Sequence, residues 1–372
     1  MSGPLLLAIE SSCDETGIAL VEGSRRIQAN VVASQVALHA GTGGIVPEVA
    51  ARAHLRWIVP VLDAALADAG AGWPDIDGVA VTYGPGLAGS LLVGINFAKA
   101  LAWVKGKPLV PVNHLDGHVE AAWLLDPGAD ERAEPVFPLV ALVVSGGHTF
   151  LAEMRDHGDY RLLGETVDDA AGEAFDKVGR LLGLGYPGGP AIMHAAAGAT
   201  RRDVVFPRAW LADSYDFSFS GLKTAARRII ERARIEAGLP AQVPGPGLVP
   251  AEPGLPEAVT AELAWGFQEA VVDVLAVKAA RAARAFGARS LVVGGGVAAN
   301  RVLASRLAGE AETLGIPLHV PRPGLCTDNG AMIGAAGGRR FLAGVRAGLD
   351  LDARPNLPLA VRGPASPAGP NR

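Results

Sequence analysis

Residues 5–22 read LLLAIESSCDETGIALVE, and residues 139–153 read LVALVVSGGHTFLAE. Each is an apolar run, a short polar or glycine turn, and a second apolar run, which is the pattern of a β-hairpin with buried strands. The chain continues as α/β after both. In the first half, Ile27–Ser34 reads as a third strand, and Glu48–Ala69 carries apolar residues at helical spacing up to Gly70. A strand at Gly78–Thr82, a helix at Ser90–Lys105 and a strand at Leu109–Val112 follow. In the second half, Tyr160–Gly164 reads as the third strand, and helices are predicted over roughly 168–182, 221–236 and 256–286. Next come a strand at Ser290–Val293, a helix from Asn300, a strand near Leu318–Val320 and a closing helix from Asp328.

A doubly wound Rossmann chain alternates strand and helix from its start. A repeated hairpin-led order predicts two α/β lobes facing a central cleft, as in the actin, Hsp70 and sugar-kinase group with its ribonuclease H-like core. The expected division is a first lobe at 1–135, a second at 136–358 with a Pro/Gly-rich insertion at 238–256, and a tail at 359–372. The 372 residues suit two domains, and 49% hydrophobic residues with 19% charged exclude a disordered chain. No run approaches the roughly 18–20 apolar residues of a membrane helix. The N-terminus lacks the basic start of a signal peptide, and Cys13 and Cys326 cannot build a disulfide scaffold, so a reducing cytoplasm is the expected compartment. A net charge of −5 leaves no global footprint for nucleic acid, so such a substrate needs a local basic patch or a partner.

Four clusters can carry chemistry. In the first turn, the hydroxyls of Ser11, Ser12 and Thr16 flank the acids Asp14 and Glu15, which suits a phosphate on backbone amides and a cation or amine on the carboxylates. Taken alone, an ordinary polar hairpin turn is the simpler account. The second is Val143-Val144-Ser145-Gly146-Gly147-His148-Thr149, where glycines after a buried strand let backbone approach a ligand. In the third, Gly294-Gly295-Gly296 joins a strand to a helix without the acid of a dinucleotide fingerprint, and Asn300 either caps that helix or meets a ligand hydroxyl. The fourth is Asn113-His114-Leu115-Asp116-Gly117-His118. Two histidines four apart share a helix face, the spacing of a metal pair. Asp328 is the candidate third ligand, although an aspartate at a helix start is also a routine cap. This donor set suits Zn(II) or Fe(II).

Together the motifs resemble the tRNA N6-adenosine threonylcarbamoyltransferase family from Leu5 to about Pro358. The likeness rests on Ile9-Glu10-Ser11-Ser12-Cys13-Asp14-Glu15-Thr16, Tyr83-Gly84-Pro85-Gly86-Leu87, His114-x-x-x-His118 and Val144-Ser145-Gly146-Gly147-His148-Thr149. It extends through Asp168–Lys177 (DDAAGEAFDK), Tyr186-Pro187-Gly188-Gly189-Pro190, Phe217–Lys223 (FSFSGLK), Gly295–Arg301 (GGVAANR) and Cys326-Thr327-Asp328-Asn329-Gly330. The resemblance implies the two-lobe fold and one metal ion on His114, His118 and Asp328, Fe(II) by family with Zn(II) as the alternative. It also implies threonylcarbamoyl-AMP held by Val143, Val144, Ser145, Gly146, Gly147, Asp176, Gly189 and Asn300. Two positions depart from the family: Met193 stands where many members carry an acid, and Asn113 where members often have histidine.

The implied reaction moves threonylcarbamoyl from its adenylate to N6 of the adenosine 3′ of the anticodon in tRNAs reading ANN codons. Asp14 or Glu15 is the candidate to orient the amine or take its proton. Arg201, Arg202, Arg208, Lys223, Arg227 and Arg228 form the candidate phosphate-contacting cluster, with a solvated helix face as the alternative. The implied partners are tRNA, an inactive paralogous subunit docked on a helical face of the first lobe, and a P-loop ATPase. Among rivals, a zinc peptidase lacks its general base because Leu115 follows His114, and a sugar kinase has no use for a His–His–Asp set. A non-enzymatic paralogue is expected to lack those ligands.

Overall fold

The computed structural model describes residues 3–42, 44–241 and 254–360. Most of the expected insertion at 238–256 and of the tail at 359–372 lies outside the described residues.

The first sheet contains β1 (Leu5–Glu10), β2 (Glu15–Glu22), β3 (Arg26–Ser34), β4 (Gly78–Gly84) and β5 (Leu109–Asn113), in the order β3-β2-β1-β4-β5. The second contains β6 (Leu139–Val144), β7 (Thr149–Asp156), β8 (Asp159–Glu165), β9 (Ser290–Gly294) and β10 (Leu318–His319), in the order β10-β9-β6-β7-β8. The two orders are the same topology. In each sheet the first three strands pair antiparallel and the last two add in parallel through helical crossovers. Hairpin register sets Glu10 opposite Gly17 and Val144 opposite Thr149, so both turns open at the same end of their sheets.

Strand alternation explains the continuous apolar runs. Leu7 and Ile9 of β1 face a core shared with helices Pro47–Ala69 and Ala88–Lys105, while Leu6 and Ala8 face the opposite way. Helix Gly330–Leu342, which comes after β10, covers that second face with Met332, Ile333, Ala335 and Ala336. Helix His114–Glu120, directly after β5, does the reverse. Its Leu115 and Val119 join Leu139, Ala141, Val143 and Val292 of the second sheet. Each lobe therefore lends a helix to the other. The two exchanged helices touch at Gly117, where a Cβ would lie 2.9 Å from Ile333 Cδ1.

Some elements differ from the sequence reading. The helix expected from 168 starts at Ala171, because Asp168 accepts hydrogen bonds from the hydroxyls of Ser218 and Ser220 and Asp169 pairs with Lys177 and Lys223. A helix over Gly188–Ala196 went unpredicted. Two glycines and a proline read as a turn, yet Pro190 falls in the first helical turn, where its missing N–H costs nothing. The closing helix begins at Gly330 rather than Asp328.

The close fit of Gly330–Leu342 on the first sheet yields a direct test. A Cβ on Gly334 would sit 2.4 Å from Val21 Cγ2. Gly334→Ala is expected to destabilise the protein by about 1–3 kcal/mol, read as a lower urea midpoint at unchanged slope.

Candidate functional site

The exchanged helices bring the metal candidates together. His114 opens its helix and His118 lies one turn on, with Asn113 capping through an Oδ1 that accepts from Leu115 N at 2.9 Å. Asn113 Nδ2 donates to Pro358 O, so this residue, a departure from the family, serves the backbone on both sides. Asp328 does not cap the closing helix. Asn329 does, accepting from Met332 N at 3.0 Å, and this leaves the Asp328 carboxylate facing the histidines. Its Oδ1 lies 3.6 Å from His114 Nε2 and 3.2 Å from His118 Nε2.

Glu10, fully buried at the end of β1, governs His114. Its carboxylate accepts from Ser12 N and Thr82 Oγ1 and lies 3.1 Å from His114 Nδ1. A carboxylate surrounded by donors only accepts, so the Nδ1 proton points to Glu10 and Nε2 turns toward Asp328. Burial opposes a charge on His114, but Asp328 and then Glu10 outweigh it and raise that imidazole to about 9. Burial also pushes Asp328 up, and His114 and His118 overcome it, holding the carboxyl well below its usual range. The pocket is therefore built to hold positive charge.

His118 is buried; its Nδ1 has no hydrogen-bond partner, and its Nε2 has only the Asp328 carboxylate, in poorly aligned contact. Unsatisfied buried nitrogens are rare. An imidazole–imidazole–carboxylate set with donor atoms all within 4.8 Å of one another gives them a purpose, since it fits a divalent cation. It is the one such group among the described residues.

Two groups beside this centre were missed by the sequence reading. Glu10 was quoted only as part of a motif. His148, at the tip of the β6–β7 turn, has its ring centroid 6.4 Å from that of His114. Burial, then the charges on His114 and His118, lower it to about 4, so it presents a neutral imidazole to the cleft.

The carboxylate turn sits across from the second lobe. Asp14 and Glu15 hydrogen-bond through their side chains, and Ser34 Oγ donates to Glu15 at 2.9 Å. Burial, then Asp14, raise Glu15 to about 9, so Glu15 carries the proton of the pair at neutral pH. Burial and then Asp14 also push up the Cys13 thiol, which excludes it as a nucleophile at neutral pH. From the second lobe, Asp176 accepts from Gly188 N at 2.7 Å. Its pKa is raised, by burial first, and Asp14 contributes across the cleft.

Two sorts of glycine line the site. Gly295 has φ +88° and a Cβ position 2.4 Å from Val144 O, and a Cβ on Gly294 would lie 2.4 Å from His118 O. Packing demands both. Gly146, Gly147 and Gly189 have conformations open to any residue, and a Cβ there would meet nothing within 4 Å. The fold itself does not need glycine at those three positions. Ser145 N donates to His148 O at 2.7 Å and closes the turn, with Val143 and Val144 buried behind it. Asn300 is engaged at both ends: Oδ1 caps Arg301–Leu314 through Val302 N and Leu303 N, and Nδ2 donates to Gln268. Met193 lies half-buried in Gly188–Ala196.

The expected basic cluster is largely neutralised within the chain. Arg201 pairs with Asp203, Arg208 with Asp273, Lys223 with Asp169, and Arg227 with Glu231.

Known proteins resemble this chain in sequence and in fold. A family model described as tRNA N6-adenosine threonylcarbamoyltransferase matches residues 26–335. A protein of that name from Thermomicrobium roseum is 58% identical over 366 residues, covering 96% of this chain and 98% of its own. One from Symbiobacterium thermophilum is 50% identical over 363 residues, covering 98% and 99%. Among solved structures, HypF from T. kodakarensis aligns at a TM-score of 0.58 with 14% identity, covering 92% of this chain and 48% of that one. That likeness supports the two-lobe fold.

The buried acid pair predicts how stability varies with pH. Glu15 titrates higher when folded than unfolded, so its contribution is fully present below the ordinary carboxyl pKa near 4.5 and is lost as pH rises toward about 9. Glu15→Gln removes that loss. It is expected to raise Tm by an amount that grows between pH 5 and 9 and nearly vanishes at pH 4, measured by calorimetry.

Proposed function

The chain belongs to the tRNA N6-adenosine threonylcarbamoyltransferase family, and on that premise we propose how its cleft carries out the transfer. The enzyme moves threonylcarbamoyl from threonylcarbamoyl-AMP to N6 of the adenosine immediately 3′ of the anticodon in tRNAs reading ANN codons, and releases AMP. N6 forms a bond to the carbamoyl carbon, the bond from that carbon to the AMP oxygen breaks, and N6 gives up one proton. An exocyclic amine is a weak nucleophile, so positioning and stabilisation of developing negative charge carry much of the barrier reduction.

The adenylate lies along the second lobe. The backbone of Val143, Val144, Ser145, Gly146 and Gly147 approaches it closely, and Gly189 leaves room beside Asp176. Asn300 offers its second Nδ2 hydrogen to the ribose. From the first lobe, Asp14 accepts the N6 proton while Glu15, which holds the shared proton, keeps the pair in place. His114, His118 and Asp328 are the residues that hold the metal ion. Fe(II) is the favoured ion and Zn(II) the alternative, and either supplies Lewis-acid charge where the substrate oxygens become negative. The observation that carries this reading is the meeting of the His–His–Asp set, the acid turn and the open glycines in one cleft.

A zincin-type peptidase reading lacks the general base that belongs beside the first histidine. Leu115 occupies the position of the zincin glutamate, and Glu10, the acid in contact with His114, is sealed from solvent and occupied by donors. The partners we propose are tRNA, an inactive paralogous subunit and a P-loop ATPase. For the paralogue, helix Pro47–Ala69 exposes Leu55 and Val59 one turn apart, and helix Ala88–Lys105 exposes Leu92 and Trp103, apolar positions suited to helix-on-helix docking. We place the reaction in the cytoplasm; no helix among the described residues is long and apolar enough to cross a membrane. The proposed lobes divide near residues 135 and 136, with the closing helix lent back to the first.

Two measurements test the site. With partner subunits, adenylate and tRNA supplied, His114→Ala is expected to lose bound metal and at least about a hundredfold in transfer rate. Wild-type product from the metal-depleted variant would reduce the centre to a structural role. Gly146→Ala and Gly189→Ala are expected to leave Tm within about a degree while raising KM for the adenylate roughly tenfold or more; a fall in Tm with unchanged KM would mean that these glycines serve the fold.

A further inference from the structure

The acid turn does not hold itself in place. Four residues separate β1 from β2, and Asp14, the last of them, stands next to Glu15 at the start of β2, so two carboxyl groups that repel when both are ionised lie side by side at a cleft edge. One of the groups that fix it is a residue with no part in the site described above. His54, in the second turn of helix Pro47–Ala69, is completely buried and directs both ring nitrogens at this turn. Nε2 lies 3.0 Å from the Cys13 carbonyl oxygen, and Nδ1 lies 2.8 Å from Thr16 Oγ1.

These two partners define the state of the ring. A carbonyl oxygen only accepts, so Nε2 carries the proton, and in the neutral ring Nδ1 accepts from the Thr16 hydroxyl. Burial lowers the imidazole pKa, which favours that neutral form. Cys13 O and Thr16 bracket Asp14 and Glu15 on both sides. Other ties each reach a single point: Gln35 N donates to Asp14 O at 3.0 Å, Ser34 Oγ to the Glu15 carboxyl at 2.9 Å, and Ser90 Oγ to Cys13 O at 3.2 Å. His54 is thus the side chain that grips both flanks of the acid pair at once.

We infer that His54 is a positioning residue for transfer, holding the Asp14–Glu15 pair at the height in the cleft where the attacking amine must lose its proton. It touches neither metal candidates nor adenylate-lining residues, so its influence falls on the chemical step rather than on binding. The inference rests on the catalytic reading of the acid turn given above.

The test uses the full chain with its partner subunits, threonylcarbamoyl-AMP and tRNA, and compares His54→Ala, His54→Gln, Thr16→Val, Asp14→Ala and Glu15→Ala. His54→Ala is expected to lower kcat about ten- to a hundredfold while KM for the adenylate and bound metal stay within about twofold. His54→Gln can still donate to the Cys13 carbonyl and should recover most of that loss, and Thr16→Val should fall between them. Added to Asp14→Ala, the histidine change should cost little more, because the group it positions is gone. Wild-type kcat in folded His54→Ala, or a loss that adds in full to that of Asp14→Ala, overturns the positioning role alone. Full transfer by both Asp14→Ala and Glu15→Ala overturns the catalytic reading of the turn and the role of His54 with it. Should His54→Ala fail to fold, the Gln and Thr16→Val variants carry the same comparison.

Discussion

The exchange of two helices between the lobes is the constraint on which the site depends. His114–Glu120 grows from the first sheet and is buried on the second, and Gly330–Leu342 does the opposite. Their N-terminal ends meet at the cleft floor, which is why residues 210 positions apart can offer nitrogen and oxygen to one point. The meeting needs close approach, and the sequence provides it with small residues: Gly117 against Ile333, Gly334 against Val21 and Gly330 against Ala19. A side chain at any of them would push an exchanged helix outward and carry a ligand with it.

Charge balance follows from that geometry. Glu10 and Asp328 lie on either side of His114, and burying two carboxylates is unfavourable unless positive charge lies between them. A proton on His114 meets that need in part, and a divalent ion meets it more fully while also giving the nitrogens of His118 a use. Glu10 thus acts behind the ligands: it sets the His114 tautomer and is itself held by Ser12 N and Thr82. The Tyr83–Leu87 motif then reads as a buttress. Leu87 N donates to Ser12 O at 2.8 Å, and a Cβ on Gly86 would collide with Ser12.

Much of this was legible in the sequence, for identifiable reasons. Hairpins with two buried faces leave uninterrupted apolar runs, so the doubled topology could be read from residues 5–22 and 139–153. The i, i+4 histidines declared a shared face because helical geometry leaves no choice. Asp328 could not be separated from a cap by pattern alone, since Asp and Asn compete for that position. The structure separates them by giving the cap to Asn329. In the basic cluster the pairs Arg201–Asp203 and Arg227–Glu231 are local, whereas Asp273 and Asp169, the partners of Arg208 and Lys223, lie far off in sequence, and pairing at that range leaves no local signal. Helix Gly188–Ala196 was hidden by residues that mark turns unless they occupy a first helical turn.

The glycines show most clearly what a sequence withholds. A run such as Gly294-Gly295-Gly296 and a pair such as Gly146-Gly147 look alike on paper, and both follow a buried strand. In the fold they part company: Gly294 and Gly295 are demanded by His118 O and Val144 O, whereas nothing in the chain crowds Gly146, Gly147 or Gly189. Glycine lowers stability through the entropy of the unfolded chain, so one that the fold does not require is maintained at a cost. Gly41, Gly185, Gly221 and Gly309 share that freedom elsewhere, so an uncrowded glycine points to a use only where it stands beside other candidate site residues. Gly146 and Gly147 do so in the turn that ends at His148, beside His114, and Gly189 follows the Gly188 whose N–H meets Asp176; the proposed contact with the adenylate would give these three glycines a reason that the fold itself does not.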